Sequence, residues 1–408
     1  MKKTLIALFT LSSLVLFGQT KKVLFLGNSY TYVNNMPQIV SDLANSKGKT
    51  LVFDSNTIGG YRLLNHSSDA TSLAKIASND WDYVVIQGQS QEGAFPDGQL
   101  ASEVYPHAAI LNDSVKSNNA CSESMFFMTW GRENGDASNC GFYPPFCTYD
   151  GMQSRLKYAY KNMADQNDGS VAPVGEAWRY LRTNYPLIDL YNADESHPSP
   201  AGSYLAACVF YVSIFRESIT GSTYLGGLPQ ADATIIQDVA SMTVLDSLDQ
   251  WNIGAYDAQA DFTFSGTGMT VDFVNASTNG TDYYWDFGDM NNTTTSDPSH
   301  TYSATGTYNV MLVANNGCTA DTTYQNVDLA SLSVDENSME IKIWNDANQI
   351  RIFSDFQIES YTIVSMNGSK VKEGRIVGNT LNIDQLEKGI YLLRLKTLKG
   401  DSNIRFIK

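Results

Sequence analysis

The sequence is poor in basic residues. Its 408 residues include 27 Lys and Arg against 43 Asp and Glu, which gives a formal net charge of −16. Such an excess of negative charge is repelled by a phosphate backbone, so nucleic acid is not an expected partner. Beyond the amino-terminal segment, no stretch reaches the roughly 18 consecutive apolar residues of a transmembrane helix. We therefore expect no membrane span.

Cysteine and histidine are also scarce, with five and four residues respectively. The cysteines lack the paired spacing of a zinc site, and neither a metal nor an organic cofactor is expected. Cys140 and Cys147 bracket the short loop GFYPPF and can close a disulfide after export. Cys208 lies in an apolar helical run and is predicted to be a buried thiol.

The amino terminus predicts export. Residues 1–19 contain two lysines, then the apolar run LIALFTLSSLVLF, then small or polar residues. This is the pattern of a secretory signal peptide, which is not part of the mature fold.

The rest of the chain shows two different sequence patterns, one after the other. Up to about residue 252, the apolar runs KVLFLG, TLVFDSN, DYVVIQG, SMFFMTW and SVAPVG alternate with helical patterns, one of them over residues 152–163. Such βαβα alternation predicts a parallel sheet with helices on both faces, where ligands bind at the carboxyl ends of the strands. From about residue 255 the helical period gives way to alternating strands such as TYNVMLVA and GIYLLRLK.

A serine stands at the end of the first predicted strand, in LFLGNSYT, where Ser29 follows Gly-Asn. A serine nucleophile needs a general base and a carboxylate that orients the base. His197, in YNADESHPSPAGSYLAA, follows Asp194 by three residues and precedes a predicted helix. His300, in DPSHTY, belongs to the β-rich region. The sequence thus indicates Ser29, Asp194 and His197 as a candidate triad.

These motifs resemble the SGNH/GDSL hydrolases, which are serine esterases with a three-layer α/β/α fold. That family carries Gly-Asp-Ser around its nucleophile and Asp-x-x-His in one late block, which correspond to GNSYT and DESH here. The resemblance covers about residues 22–250. It implies that Ser29 is the nucleophile, His197 the base and Asp194 the orienting carboxylate.

The family also implies donors for the oxyanion: the amide of the nucleophile, a glycine amide and an asparagine side chain. The glycine matches Gly60 in NTIGGYRL, with Gly59 as the alternative. The asparagine block falls on VVIQGQSQ, where Gln89 stands instead, and Asn28 replaces the usual aspartate before Ser29. Because one oxyanion donor is typically worth about 3–4 kcal/mol of the barrier, the placement of Gln89 matters.

The segment MTWGRENGD follows a predicted strand and should overlook the same sheet edge. Two interpretations of Trp130 and Arg132 are open. They can face the substrate, as an aromatic platform and a charged or hydrogen-bonding arm. Alternatively, they are a packing aromatic and a surface arginine.

The β-rich part resembles two further modules. YYWDFGDMNNTTTSDPSHTY, within about residues 257–330, resembles a PKD domain, an immunoglobulin-like sandwich in which Trp285 is a core aromatic and His300 is structural. LEKGIYLLRLKTLKGDSNIRFIK, within residues 333–408, resembles the C-terminal sorting domain of the type IX secretion system of Bacteroidota. That resemblance implies a secreted or outer cell-surface protein, with the type IX secretion machinery as a partner.

The sequence therefore predicts a three-layer α/β/α parallel-sheet (SGNH, flavodoxin-like) domain over residues 20–252, followed by two all-β immunoglobulin-like sandwich domains. The expected function is that of a secreted serine esterase, acting on O-acyl and foremost O-acetyl groups of a polysaccharide or on a small ester. The polysaccharide rests on analogy with the two β modules. One alternative is a lipase or broad acyl esterase, which needs a long apolar groove. The other is a cell-surface binding protein on an inactive hydrolase scaffold, which Asn28 and Gln89 keep open.

Overall fold

The computed structural model describes residues 19–329, 341–345, 348–354, 357–365, 368–376, 378–397 and 400–408. The predicted signal peptide lies outside these residues except for Gln19. The polar segment 331–337, which the sequence predicts to join the two β-rich modules, lies wholly outside them. The chain forms two compact units. The first comprises residues up to 260 together with 277–283 and 313–322, and the second comprises 261–276, 284–312 and 323–408.

The first unit is built on a sheet of five parallel strands in the order β2-β1-β3-β4-β5. The strands are β1 (Thr20–Gly27), β2 (Thr50–Thr57), β3 (Tyr83–Ile86), β4 (Glu123–Phe127) and β5 (Ser170–Ala172). All five predicted strands are confirmed. The last is shorter than its apolar run because Pro173 cannot donate a ladder hydrogen bond and a helix starts at Val174. This flavodoxin-like order has its switch point between β1 and β3, where ligands bind in open α/β sheets.

Ten α-helices accompany this sheet within the described residues. They are α1 (Ser29–Tyr32), α2 (Met36–Ser46), α3 (Leu63–Ser68), α4 (Ala70–Ala77), α5 (Asp97–Glu103), α6 (Tyr105–Asn118), α7 (Tyr149–Gln166), α8 (Val174–Asn184), α9 (Pro200–Phe215) and α10 (Gln230–Leu245). The helical pattern predicted over residues 152–163 lies within α7. Connections between parallel strands of one sheet are right-handed in nearly all proteins. Because β2 and β3 lie on opposite sides of β1, this rule places the connecting helices on both faces of the sheet.

Helix α9 is the most deeply buried of these helices. All of its residues except Pro200 are buried, as expected of a helix that is apolar on every side. The ring of Phe210 meets Phe25 of β1 and Phe127 of β4 edge-to-face, with centroids 5.6 and 4.8 Å apart. The segment immediately before α9, which carries His197, is therefore fixed to the core.

The cysteines follow the predictions with one addition. Cys140 and Cys147 form the expected disulfide, and Cys208 is free and buried. A second disulfide, which the sequence analysis missed, joins Cys121 to Cys318 within the first unit. In the described part of the chain, no helix is long and apolar enough to span a bilayer.

The β-rich part begins with two sheets, β10-β7-β6 and β12-β11-β8-β9. Their strands are β6 (Phe262–Thr267), β7 (Thr270–Asn275), β8 (Asp282–Asp286), β9 (Asn292–Thr293), β10 (Ser299–Thr301), β11 (Thr307–Asn315) and β12 (Ala320–Asp328). Trp285 is fully buried against Phe262 and Phe273, with centroids 5.0 and 5.4 Å away. Its predicted core position is confirmed.

The carboxyl-terminal residues form two more antiparallel sheets, β13-β14-β17 and β16-β15-β18-β19. Their strands are β13 (Lys342–Asn345), β14 (Gln349–Phe353), β15 (Ile358–Ser365), β16 (Lys370–Gly374), β17 (Thr380–Asn382), β18 (Ile390–Thr397) and β19 (Gly400–Ile407). Ile350, Ile363 and Leu393 are fully buried in a core of their own. The described residues thus confirm an α/β fold followed by all-β sheets.

Candidate active site

The candidate site lies at the carboxyl ends of β1 and β3. Ser29 is the first residue of α1 and follows β1 after the single residue Asn28. At the first position of a helix the backbone N–H has no partner within the helix. The side chain of Asn28 caps α1 by accepting a hydrogen bond from the N–H of Tyr30 (3.1 Å). Ser29 is thereby held at the sheet edge with both its hydroxyl and its amide available.

A hydrogen-bonded relay runs from Ser29 to a carboxylate. Nε2 of His197 lies 2.8 Å from Oγ of Ser29, and Nδ1 of His197 hydrogen-bonds Oδ2 of Asp194. The other carboxylate oxygen, Oδ1, accepts the backbone N–H groups of His197 (2.9 Å) and Ser196 (3.1 Å). The three predicted triad residues are thus brought together in the order nucleophile, base and orienting carboxylate.

The environment of Asp194 keeps it ionised. Burial by itself would raise its pKa, but the hydrogen bonds from the His197 side chain and from the amides of His197 and Ser196 outweigh that effect. The pKa of Asp194 therefore lies below its usual value. A permanent carboxylate at this place selects the tautomer of His197 that leaves Nε2 free to accept a proton.

The loop that carries His197 is tightly closed. The N–H of Asn192 donates to the carbonyl of His197 (2.8 Å), and the N–H of Glu195 donates to the carbonyl of Asn192 (2.9 Å). Glu195 adopts a left-handed conformation with φ of 60° to make this turn. Ser199 then caps α9 by accepting the N–H of Gly202 (3.1 Å). The imidazole is therefore positioned between a closed turn and the buried helix α9.

Trp130 does not face the substrate. It is fully buried, with its indole stacked between the rings of Tyr30 (4.6 Å) and Trp178 (3.9 Å). Its Nε1 donates to the carbonyl of Ser196 (3.0 Å), while the Tyr30 hydroxyl lies 2.6 Å from Oγ of Ser196. The prediction of an aromatic platform is wrong because both faces of the indole are covered. The packing interpretation is correct, and the stack supports the His197 loop from behind.

A cavity of about 350 Å³ opens beside the relay. Its wall contains Asn28, Ser29, Tyr30, Tyr32, Gly59, Gly60, Gln89, Ser90, Arg132, Ser196 and His197. No aliphatic side chain contributes to this lining. Arg132, unlike Trp130, lies in the cavity wall, and its role as a substrate-facing arm stays a prediction.

Two backbone amides are available as oxyanion donors. Gly60 has a left-handed φ of 74° and lies in the cavity wall, next to Gly59. Within the described residues, the N–H of Gly60 donates to no other group, as is also true of the N–H of Ser29. The resemblance implies these two amides as oxyanion donors, and that role stays a prediction.

The geometry of Gln89 departs from its expected role. It lines the cavity, but its Nε2 donates to Oγ of Ser90 (3.0 Å) and Oε1 of Gln91 (2.9 Å). Its Oε1 accepts the N–H of Gln91 (2.8 Å). Both N–H groups of the Gln89 side chain are therefore used within its own loop. The expectation that this side chain donates to an oxyanion is not met in this arrangement.

Asn28 has a function that the usual aspartate could not perform. Its Nδ2 donates to the carbonyl of Tyr61 (2.9 Å), which a carboxylate cannot do. Its N–H donates to Oε1 of Gln87 (2.8 Å), and its Oδ1 accepts from Nε2 of Gln87 (2.9 Å). Sequence analysis did not consider Gln87, a fully buried residue, although it directly follows β3 at the predicted site edge. Asn28 and Gln87 together join the loop of Ser29 to the loop after β2, which carries Tyr61, and to the loop after β3.

A second missed residue, Glu92, clamps the oxyanion loops. Its almost fully buried carboxylate accepts the N–H groups of Leu63 (3.0 Å) and Gln89 (3.1 Å), and Nε of Arg62 (3.1 Å). Burial raises the pKa of Glu92, and these hydrogen bonds only partly offset the rise. Glu92 thus ties the loop after β2, which carries Gly60, to the loop after β3. No sequence signal marks it, since a loop glutamate is normally exposed.

A larger cavity of about 610 Å³ lies at the opposite, amino-terminal edge of the sheet. Lys21, Glu123 and Arg216 contribute to its wall, which contains neither serine nor histidine. In the part of the chain that the structure describes, no group of three or more His, Cys, Asp or Glu is placed to hold a metal ion. We therefore place the candidate site in the smaller cavity, where the candidate nucleophile Ser29 and the candidate base His197 meet.

Comparison with known families identifies two modules in the chain. Residues 256–330 match the PKD domain, and residues 345–408 match the secretion system C-terminal sorting domain. Both predicted modules are confirmed. The sorting domain indicates a secreted or cell-surface protein.

The α/β part of the chain is similar to several solved structures. A DUF4886 family protein from Bacteroides uniformis is 20% identical, covers 57% of this chain and 96% of its own, and has a TM-score of 0.49. An SGNH hydrolase candidate from Slackia heliotrinireducens is 28% identical, covers 47% of this chain and 98% of its own, and has a TM-score of 0.40. A Geobacillus acetyl-xylooligosaccharide esterase is 18% identical, covers 48% of this chain and 95% of its own, and has a TM-score of 0.36. No curated protein matches the chain in sequence.

Proposed function

We propose that the protein is a secreted serine hydrolase that cleaves carboxylic esters. The observation that carries this proposal is the continuous relay from Oγ of Ser29 through His197 to Asp194, with 2.8 Å between the hydroxyl and Nε2. Its opening onto a cavity that a small ester can enter supports the same function. A serine hydroxyl within reach of an oriented imidazole is the arrangement that nucleophilic acyl transfer needs.

The acylation step follows from this geometry. Oγ of Ser29 attacks the acyl carbonyl carbon while its proton passes to Nε2 of His197. The tetrahedral intermediate collapses when the imidazolium returns this proton to the leaving alcohol oxygen. The carbon–oxygen bond of the ester breaks, and the acyl group remains on Ser29. Throughout this step the ionised Asp194 stabilises the positive charge on His197.

The deacylation step uses the same groups with water as the nucleophile. His197 takes a proton from water, and the resulting hydroxide attacks the acyl-enzyme carbonyl. The protonated imidazole then returns the proton to Oγ of Ser29 as the carboxylic acid leaves. In both steps the amides of Ser29 and Gly60 donate to the developing oxyanion. Donors of this kind are worth about 10²–10³ in rate each.

The cavity favours a short acyl group. At about 350 Å³ it is small, and its wall lacks aliphatic side chains, so Tyr30 and Tyr32 are the only large apolar groups that it offers to a long acyl chain. This disfavours a lipase. An acetyl group, with a single methyl, suits such a site best. We therefore propose an O-acetyl ester as the substrate.

The proposed alcohol part of the ester is a polysaccharide. The sorting domain indicates a protein that works outside the cell, where polymeric glycans are met, and it implies the type IX secretion machinery as a partner. PKD modules often accompany secreted bacterial enzymes that act on polymers. This step rests on module analogy and not on a residue of the cavity.

Ester hydrolysis by the purified mature protein tests the proposal. We expect turnover of p-nitrophenyl acetate, progressively slower turnover of butyrate and octanoate esters, and loss of all three activities in Ser29→Ala. Acetate release from a chemically acetylated polysaccharide should depend on Ser29 in the same way. Rates equal to the buffer background for both proteins on every substrate would reject the esterase.

A binding protein on an inactive scaffold is the second candidate. The engagement of both Gln89 side-chain N–H groups favours it, because one expected oxyanion donor is then missing. Binding of acetylated polysaccharide without Ser29-dependent acetate release would support this candidate instead.

A further inference from the structure

Arg132 is the one acidic or basic side chain other than His197 in the described cavity wall. The other lining residues are neutral, so the guanidinium brings a full positive charge into the cavity. This placement is notable in a chain with a net charge of −16. A cation beside the nucleophile attracts an anionic ligand and repels a cationic one.

The terminal N–H groups of Arg132 make no close hydrogen bond among the described residues. Its single ion-pair partner among the described residues is Asp136, at 3.4 Å, which is too far for a good hydrogen bond. Its Nε is buried and has no partner. The buried carboxylate of Asp136 is already bound by the side chains of Gln91 and Asn139. Asp136 therefore orients the guanidinium without using up its five N–H donors.

Other arginines of the same unit are paired more closely. Arg62 donates to Glu92 and to Glu103, at 3.1 and 2.9 Å. Arg179 donates to Glu176 at 2.6 Å. Arg182 has its carboxylate partner Glu133 only at 4.0 Å, but it donates to the carbonyl of Glu133 at 3.1 Å. Among the described residues, the guanidinium of Arg132 has no hydrogen-bond partner of either kind, and a carboxylate on a ligand would supply one.

We propose that Arg132 binds a carboxylate on the alcohol part of the ester, so that the substrate is an O-acylated uronic acid unit of an acidic glycan. This inference rests on the proposed esterase function. The planar fork of arginine matches a carboxylate through two parallel hydrogen bonds, which a neutral sugar hydroxyl cannot reproduce. Because Arg132, Ser29 and His197 line one cavity, the bound carboxylate holds the neighbouring acyl group beside the nucleophile.

A matched pair of substrates tests the proposal: methyl glycosides of mono-O-acetylated galacturonic acid and of mono-O-acetylated galactose. The galacturonic acid derivative carries a carboxylate where the galactose derivative carries a hydroxymethyl group. Acetate release is measured for the wild type, Arg132→Gln, Arg132→Lys and the control Arg179→Gln. We expect the wild type to favour the uronate at least about tenfold in kcat/KM, mainly through KM, since a charge-assisted hydrogen bond has this strength.

The variants separate recognition from structural support. Arg132→Gln should remove the preference for the uronate, and Arg132→Lys should keep part of it as a point charge. Arg179→Gln should retain the full preference. Equal losses on both substrates in Arg132→Gln, or no preference in the wild type, would overturn the inference. Ser29-dependent turnover of p-nitrophenyl acetate would in that case leave the esterase function standing, whereas its absence would reject the function itself.

Discussion

Among the described residues, a histidine bonds an aspartate in two places, one in the α/β part and one in the PKD domain. His197 bonds Asp194, and Nε2 of His300 lies 2.8 Å from Oδ2 of Asp289. In each pair, burial of the aspartate opposes ionisation, and hydrogen bonds led by the one from the histidine more than offset it, so both aspartates have a lowered pKa. Judged by the pair alone, the two histidines are equivalent.

Their surroundings differ in ways that decide function. The ring of His300 stacks on Phe287 (4.1 Å) and meets Tyr302 edge-on (4.6 Å), and among the described residues no serine or threonine hydroxyl bonds it. The free nitrogen of His197 instead meets the hydroxyl of Ser29 in a cavity. A carboxylate–histidine pair is thus a common structural device. It becomes a general base only when a nucleophile and access for a substrate are added.

Removing the base or the nucleophile should give the largest effect. We expect Ser29→Ala and His197→Gln to lower kcat for ester hydrolysis by roughly 10⁴-fold or more, because either change removes proton transfer from the serine. The matched variant His300→Gln should hydrolyse esters at the wild-type rate. It should lower the free energy of unfolding by about 1–2 kcal/mol, as for a lost hydrogen bond. If His300→Gln lost as much activity as His197→Gln, the conclusion that only the His197 pair acts in ester hydrolysis would be wrong.

Neutralising the two aspartates sharpens the same comparison. Asp194→Asn should lower kcat by about 10³–10⁴-fold, since an amide at this place favours the tautomer of His197 that cannot accept the serine proton. Asp289→Asn should leave kcat unchanged. Steady-state kinetics on p-nitrophenyl acetate measures both. A fall in kcat of less than about fivefold in Asp194→Asn would assign the carboxylate of Asp194 to structure, like that of Asp289.

A smaller effect is expected at Glu92. The side chain of Gln has one oxygen where Glu92 has two, so in Glu92→Gln an N–H group must face either Nε of Arg62 or the amides of Leu63 and Gln89. At least one of these hydrogen bonds is then lost, and the loop that carries Gly60 is less firmly held in place. We expect kcat to fall by about 10-fold, with KM nearly unchanged, because a misplaced oxyanion donor costs transition-state binding. Glu103→Gln serves as the control, because the partly exposed carboxylate of Glu103 also pairs with Arg62 but accepts no backbone N–H of these loops. An unchanged kcat in Glu92→Gln would contradict this positioning role.

The smallest effect concerns acid stability, and here the two pairs should behave alike. Asp194 and Asp289 have lowered folded-state pKa values against a usual value of 3.8. Each therefore contributes stability that is complete above the usual pKa and is lost as the pH falls through the lower folded value. Melting temperatures between pH 2 and 6 should show this loss in the wild type and less of it in each Asn variant. A variant with an unaltered profile would show that its pair does not stabilise the fold.

The sequence predicted the strands and the relay for a shared physical reason. Strands β1, β3, β4 and β5 are mostly buried and read as short apolar runs bounded by turns, whereas the edge strand β2 is only partly buried. The three residues from Asp194 to His197 are a local spacing, and a local turn is enough to bring the carboxylate to the imidazole. Ser29 was identifiable because β1 ends at the edge where α/β sheets bind ligands.

Features that depend on distant partners could not be predicted. The burial of Trp130 depends on Trp178, and the disulfide of Cys121 depends on Cys318, which lies 197 residues away. The side chain of Gln89 has the right chemistry, but its orientation is set by neighbouring loop residues. The role of Glu92 in clamping two loops leaves no periodic signal at all.

The burial of α9 has a consequence for how the site opens. Because every residue of α9 after Pro200 is buried, the backbone protons of this helix should exchange with solvent only when the whole domain unfolds. Residues 192–195 of the preceding turn are exposed, so the N–H of Asn192 should exchange sooner, in spite of its bond to the carbonyl of His197. The unbonded N–H of Gly60 should exchange soonest. The helix that follows the His197 turn would then belong to the last part of the domain to unfold, and the loop of Gly60 to the first.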